Sequence, residues 1–96
     1  AKASLIMYKL EYSNQFKKDF KKVTKMPIPD VIEVGNVIST LLKGENLEVK
    51  YVDHGLTGDW FGYRDCHVKP DLVLIYKTDS KTLKLARIGS HSELFK

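Results

Sequence analysis

The stretch LVLIY, Leu72–Tyr76, is an unbroken apolar run that decides the fold of this 96-residue chain. A run of this length and composition is typical of a central strand covered on both faces, and it predicts a strand at Leu72–Lys77. Turn-forming residues 78–81 follow, and they predict a hairpin to a second strand at Thr82–Ile88. Upstream, Trp60–His67 predicts a third strand. These three segments predict the body of a β-sheet.

A strand and a lysine-rich helix are predicted near the start. Apolar and charged residues alternate over Tyr8–Tyr12, which indicates a short strand, and Ser13 is a suitable N-cap for the helix that follows. The helix has one apolar stripe, formed by Phe16, Phe20 and Val23. Its other face carries Lys17, Lys18, Lys21, Lys22 and Lys25. We therefore predict an amphipathic helix packed on the sheet.

A second helix is predicted after the proline-containing turn at residues 26–29, which ends the first. Asp30 and Glu33 have the spacing of a capping box, so this helix is predicted to begin at Asp30. Gly44 is placed to end it. The apolar stripe consists of Val34, Val37, Ile38, Leu41 and Leu42.

The order β-α-α-β-β-β predicts an α+β domain. We expect an antiparallel sheet with two helices packed on one face and a short C-terminal turn. A chain of this length fits one core, so residues 7–96 are predicted to form a single domain. Residues 1–6 precede Met7, and we interpret them as a cloning remnant with the natural start at Met7.

Composition narrows the function classes. The net charge of +4 mildly favours acidic binding partners. Cys66 is the single cysteine, so no internal disulfide can form, and a reducing cytoplasm is expected. No apolar run is long enough to cross a bilayer, so no membrane partner is expected.

The candidate chemical residues lie in the second half of the chain. In the strand Trp60–His67, Asp65 and His67 lie two positions apart and share one face. His54 precedes this strand, Asp71 follows it, and His91 follows the last strand. These side chains could converge at one rim of the sheet.

Such a set suits RNA cleavage by internal attack of a 2′-hydroxyl. Histidine can act as base or acid because its unperturbed pKa of about 6.5 is close to physiological pH. A carboxylate such as Asp65 or Asp71 could orient an imidazole, and Arg87 and the lysines could contact phosphates.

Other interpretations of the same residues remain open. His54, His67 and His91, with Asp65 or Asp71, supply the ligand types that zinc accepts, although no HExxH or CxxC spacing is present. The residues Trp60, Phe61 and Tyr63 are predicted to pack in the core or at an edge rather than to stack on bases. The lysine face could be a solvated surface, and Cys66 is predicted to be a small core residue.

Two motifs resemble a known family. The run Asp53–Leu72 (DHGLTGDWFGYRDCHVKPDL) resembles YafQ-type toxins of the RelE superfamily. The ending Arg87–Phe95 (RIGSHSELF) is similar to that of the same toxins, and Tyr12–Phe20 resembles their amino-terminal stretch. The resemblance covers Met7–Phe95 and is loose across the second helix.

This resemblance implies a RelE-like fold and an endoribonuclease that needs no metal or other cofactor. It implies cleavage of messenger RNA in the ribosomal A site of the 30S subunit and silencing by a cognate antitoxin. The implied catalytic residues are His54, His67, Asp71 and His91. The implied supporting residues are Asp65, Arg87 and Phe95, and the helix residues Lys17, Lys18 and Lys21 are predicted to hold RNA. We expect His91 to be the general acid and His67 or Asp71 the base, with His54 supporting.

Two alternatives belong to other function classes. One is a toxin without nuclease activity that inhibits DNA gyrase, like the ParE branch of the superfamily. The other is an inactive domain that binds an antitoxin as a regulator. Three titratable imidazoles near one rim favour the nuclease, because a pure inhibitor has no need of them.

Overall fold

A computed structural model describes residues 7–95 and contains one mixed sheet. The strands are β1 (Lys9–Tyr12), β2 (His54–Gly55), β3 (Arg64–Lys69), β4 (Leu72–Asp79) and β5 (Thr82–Gly89). The helices are α1 (Asn14–Val23), α2 (Ile28–Leu42) and α3 (His91–Leu94). Two 3₁₀ turns cover Val49–Tyr51 and Gly58–Trp60. The predicted cloning remnant, residues 1–6, lies outside the described residues.

The predicted α+β class is confirmed, but the expectation of a purely antiparallel sheet is wrong at the edge formed by β1. The strand order is β1-β5-β4-β3-β2, and β1 pairs parallel to β5 while the other neighbours are antiparallel. Lys9 lies opposite Thr82, and Tyr12 opposite Leu85. This pairing joins distant parts of the chain, so no local pattern encodes it. The two-residue strand β2 adds the opposite edge.

The two faces of the sheet are covered by different groups. The helix face carries the main core, in which α1 and α2 cover Leu74, Leu83 and Leu85. On the opposite face, Val73, Ile75 and Leu94 form a smaller core, and Leu56, Trp60, Tyr63, Ala86 and Phe95 pack against it. Side chains of the continuous apolar run in β4 therefore contribute to the cores on both faces of the sheet. This second face is the one that carries the histidines.

The first predicted cap is confirmed and the second is wrong. The Ser13 hydroxyl accepts a hydrogen bond of 2.9 Å from the Phe16 N–H, and α1 begins at Asn14. Helix α2 begins at Ile28, two residues before the predicted start, and its N-cap is Pro27 without a side-chain bond. Proline is tolerated in the first turn of a helix because the N–H that it lacks has no partner there.

The consequence is that Asp30 and Glu33 are free for other partners. Asp30 pairs with Lys69 at 3.3 Å, and Glu33 accepts a hydrogen bond from the Tyr51 hydroxyl. The predicted end of α2 is confirmed: Gly44 has a φ of 72° and its N–H reaches the Leu41 carbonyl at 3.0 Å. Glycine adopts this left-handed conformation without the steric penalty of a Cβ.

The predicted strand Trp60–His67 is shorter at its start than expected. Residues 58–62 form a turn with left-handed glycines at both ends, so β3 begins only at Arg64. Trp60 and Tyr63 pack against the small core as predicted, but Phe61 points outward and is exposed. The prediction that Phe61 packs in the core or at an edge is therefore wrong. Within residues 7–95, no helix has the length and apolar character needed to cross a membrane.

Candidate active site

Three separate elements bring the three histidines together on one face of the sheet. His54 lies in β2, His67 in β3 and His91 at the start of α3. The ring centres of His54 and His67 are 6.5 Å apart, and those of His67 and His91 are 5.7 Å apart. His67 is therefore the middle ring of a row. The convergence expected from the sequence is present.

Asp65 lies buried beneath this row. It shares the face of His67, as strand alternation predicts, and only 2% of its surface is exposed. Its Oδ1 is 3.2 Å from Nδ1 of His54, but that nitrogen is engaged with the Val52 carbonyl at 2.8 Å. Among residues 7–95, no group donates a hydrogen bond to Asp65 Oδ1. A buried polar atom without a partner is costly, so a structural or functional reason for it is expected.

The pKa of Asp65 is shifted by two opposing effects. Burial raises the pKa of this carboxyl above its ordinary value, and charge on His54, His67 and His91 lowers it. Burial dominates. The ionised carboxylate is thus held at an energetic disadvantage that protonated imidazoles beside it would relieve.

Asp71 fixes the backbone of His91. Asp71 lies in the turn between β3 and β4, and its Oδ1 accepts a hydrogen bond of 3.1 Å from the His91 N–H. Helix α3 also has its own capping box, because Ser90 and Glu93 exchange side-chain and backbone hydrogen bonds. The ring of Phe95 lies 5.0 Å from that of His91. A four-residue helix is thereby held in place from three sides.

Arg87 is bound by a residue that sequence reasoning missed. Its Nε and Nη2 donate to the two carboxylate oxygens of Asp19 in α1, at 2.8 and 3.2 Å. Asp19 also accepts from the Ile88 N–H at 3.1 Å and from Gln15 at 3.0 Å. Burial acts to raise the pKa of Asp19, but these hydrogen bonds outweigh it and hold the pKa below its ordinary value. The only sequence signal was one acid among five lysines.

The helix lysines are not all close to the histidines. Lys17, Lys18 and Lys21 are exposed, and Lys17 borders an apolar groove between α1, α2 and β1. Lys22 instead reaches α3, where its Nζ lies 3.4 Å from Glu93. The lysine linked directly to the histidine-bearing helix is therefore one that the predicted RNA contacts did not include.

The opposite face of β3 contributes no nucleophile. Cys66 is fully buried in the main core, as predicted, and burial raises the pKa of its thiol to about 12. A thiol with this pKa remains protonated at neutral pH. Among residues 7–95, no three His, Cys, Asp or Glu side chains form a group that could hold a metal ion.

Several known proteins that are similar to this chain in sequence and fold are named as toxins. Residues 8–96 match the model of a family described as bacterial toxin of type II toxin-antitoxin system, YafQ. The mRNA interferase toxin YafQ of Escherichia coli strain K12 is 40% identical over 92 residues, covering 95% of this chain and 99% of the relative.

Two solved structures extend the comparison. The E. coli DinJ-YafQ complex is similar with a TM-score of 0.83 and 40% identity, covering 93% of this chain and 99% of the matched one. A metal-bound toxin from Helicobacter pylori is similar with a TM-score of 0.83 and 42% identity, covering 93% of this chain and 100% of the other. The chain therefore belongs to the YafQ family of type II toxin-antitoxin toxins.

Proposed function

We propose that this chain is an mRNA interferase that inhibits translation by cutting messenger RNA. The observation that carries the proposal is the row of His54, His67 and His91 above the buried Asp65. Three imidazoles on one face supply a base and an acid within reach of one phosphate. The name of the E. coli relative, an mRNA interferase toxin, supports the same function.

The proposed reaction is transesterification within the RNA. A base removes the proton of the 2′-hydroxyl, the 2′-oxygen attacks the adjacent phosphorus, and the bond from phosphorus to the 5′-oxygen breaks. An acid gives its proton to that departing oxygen. The products are a 2′,3′-cyclic phosphate and a free 5′-hydroxyl.

His91 and His67 fit the two proton-transfer roles. Their rings are neighbours in the row and come from different elements, so a phosphodiester can contact both. We assign the acid role to His91 and the base role to His67. Asp71 is the alternative base, but one of its oxygens is already engaged with the His91 N–H, which favours a positioning role. His54 supports the row from the other end.

Asp65 and Arg87 set the charge of the site. Ionised Asp65 places a negative charge beside His54, His67 and His91. Arg87 has its Nε and Nη2 edge occupied by Asp19, so Nη1 is the nitrogen that we assign to a phosphate of the substrate. Phe95 packs against His91 and restricts its ring. Lys17, Lys18 and Lys21 are proposed to hold more distant phosphates.

The proposed partners are messenger RNA in the ribosomal A site and a cognate antitoxin. The DinJ-YafQ complex is the precedent for an antitoxin. The exposed lysines of α1 and the apolar groove beside Lys17 offer charge and apolar area to an acidic, amphipathic segment. A free, buried thiol and a messenger RNA substrate both suit the cytoplasm.

We propose that catalysis needs no metal. The charge-stabilising groups of the mechanism are the imidazoles and Arg87, and none of these roles requires a cation. The metal-bound toxin of H. pylori makes this part of the proposal important to test. Neither the gyrase inhibitor nor the inactive regulator is favoured, since the similar E. coli toxin is named for its action on messenger RNA.

The experiment is cleavage of a defined message by the purified protein, with and without translating ribosomes. We expect cuts at specific positions that depend on ribosomes, survive a chelator and disappear in His91→Ala. Lys43→Ala, at the far end of α2, is the matched control and should cut normally. Cleavage that persists in His91→Ala overturns the assignment, and cleavage lost to a chelator overturns metal independence.

A further inference from the structure

A group of two aromatic residues just before β3 and two lysines of β4 and β5 is not used by the proposed chemistry. We call it the aromatic-lysine patch, and it consists of Phe61, Tyr63, Lys77 and Lys84. Phe61 is 81% exposed, more than any other aromatic side chain in residues 7–95. A single exposed apolar ring is ordinary on a protein surface, so it indicates a binding site only together with its surroundings.

The exposure of Phe61 is built into its loop. Gly58 and Gly62 adopt φ values of 66° and 94°, which turn the chain on either side of the ring. The Phe61 N–H bonds to the Gly58 carbonyl at 3.0 Å. Trp60 and Tyr63 pack edge to face, with ring centres 5.2 Å apart, and anchor the loop on the small core. The ring is therefore presented outward by a fixed frame.

Two lysines place positive charge beside these rings. Lys77 and Lys84 lie opposite each other on β4 and β5, an arrangement that is destabilising for like charges. Lys77 Nζ lies 5.4 Å from the centre of the Tyr63 ring, and Lys84 borders the same cavity as Tyr63. Asp79 offsets Lys84 only weakly, at 3.7 Å on an exposed surface, and Glu11 lies opposite Lys84 on β1 and borders the same cavity. Lys77 is therefore the less neutralised of the two lysines. A polyanion would relieve the repulsion.

The patch is continuous with the candidate active site. Trp60 and Tyr63 pack on the same small core as Leu94 and Phe95. Phe95 in turn contacts His91, with ring centres 5.0 Å apart. The small core therefore links Tyr63 on one side to the rings of Phe95 and His91 on the other.

We infer that the aromatic-lysine patch binds the single-stranded RNA substrate on one side of the cut. Phe61 stacks on an unpaired base, and Lys77 and Lys84 contact the neighbouring phosphates. Exposed rings flanked by cations are the usual means of holding single strands without reading sequence. This inference rests on the proposed function and adds to it a subsite beyond the reacting phosphate.

The test compares two substitutions of the same ring. Phe61→Tyr keeps a stacking surface, and Phe61→Leu keeps apolar bulk without a ring. We expect Phe61→Leu to weaken binding of a short single-stranded RNA on the order of tenfold, and Phe61→Tyr to bind like the parent. The RNA carries a 2′-deoxy sugar at the cut, so it cannot react, and binding is read by fluorescence anisotropy.

The lysines are tested by the salt dependence of the same binding. When Lys77 and Lys84 are both replaced by Ala, the slope of log affinity against log salt concentration should decrease by about one to two, the number of counterions no longer released. Lys43→Ala should leave this slope unchanged. Equal binding by Phe61→Leu and the parent, or no binding by the parent, overturns the patch. Retained affinity with leucine would point instead to an apolar protein contact.

Cleavage on programmed ribosomes separates this inference from the proposed function. Phe61→Leu should raise KM and leave kcat close to that of the parent, because the ring touches no reacting atom. If the parent cleaves and Phe61→Leu has an unchanged KM, the nuclease proposal holds and the aromatic-lysine patch is overturned. If the parent never cleaves, the proposed nuclease activity is overturned. The RNA affinities measured by anisotropy then test the aromatic-lysine patch independently.

Discussion

The Asp71 carboxylate and the His91 backbone N–H are joined by a hydrogen bond of 3.1 Å, which ties the β3–β4 turn to the first turn of α3. Asn can accept the same bond through its amide oxygen, whereas Ala cannot. If Asp71 positions His91, we expect Asp71→Asn to stay within about tenfold of the parent and Asp71→Ala to lose about a hundredfold in kcat, the effect of a misplaced catalytic group. Single-turnover cleavage measures both. Equal inactivity of the two variants would identify Asp71 as the general base.

Because the Asp19–Arg87 pair is largely buried, breaking it should lower the free energy of unfolding more than breaking a surface ion pair. Asp19 is 7% exposed and accepts four hydrogen bonds, so Asp19→Ala leaves the Arg87 guanidinium and the Ile88 N–H without their partner. Removing one member of a buried pair lowers the free energy of unfolding by roughly 3–5 kcal/mol, and the partial exposure of Arg87 favours the lower end. Urea unfolding measures this. Asp79→Ala, which breaks the surface pair with Lys84, is the control and should change it by less than about 1 kcal/mol.

The same pair predicts a dependence on pH. The folded-state pKa of Asp19 lies below its unfolded value, so its contribution is complete above that unfolded value of about 3.9 and is lost as the pH falls through the folded pKa. We expect thermal melts of the parent to fall more steeply below about pH 4 than those of Asp19→Asn. Parallel melting curves of the two proteins across that range would contradict the prediction.

The ionisation of Asp65 should have the opposite effect on stability from that of Asp19. Its folded-state pKa is raised by burial, so the ionised group destabilises the fold at neutral pH, and this penalty disappears as the pH falls through the folded pKa. We expect Asp65→Asn to unfold a few degrees higher at pH 7, in line with about 1 kcal/mol, and to lose cleavage. The difference in Tm should shrink in acid. A variant that is both less stable and fully active would refute this account of Asp65.

Cys66 should be inert in the folded protein. Its thiol is fully buried and its pKa is raised to about 12, so iodoacetamide at neutral pH should leave it unmodified. Intact-mass spectrometry reads the result, and modification in denaturant is the positive control. Rapid alkylation under native conditions would mean that β3 opens more easily than its burial implies.

Local patterns predicted those parts of the molecule that local physics determines. Alternation along β3 was sufficient to place Asp65 and His67 on one face, and Ser13 was recognisable as a cap. The start of α2 was missed because Pro29 can occupy a first helical turn as easily as it can end a helix. The Asp19–Arg87 pair and the β1–β5 pairing link segments far apart in the chain, so no window of neighbouring residues contains them.

The parallel pairing of β1 with β5 has a consequence for the order of events during synthesis. Within residues 7–95, the early strand β1 pairs in the sheet only with β5, which is translated late, and His91 follows β5. Until then the row of histidines has two members and β1 has no neighbour in the sheet. On the proposed function, a growing chain therefore lacks the complete histidine row with which it would cut the message from which it is being translated. The topology delays assembly of the histidine row until β5 and α3 have been synthesised.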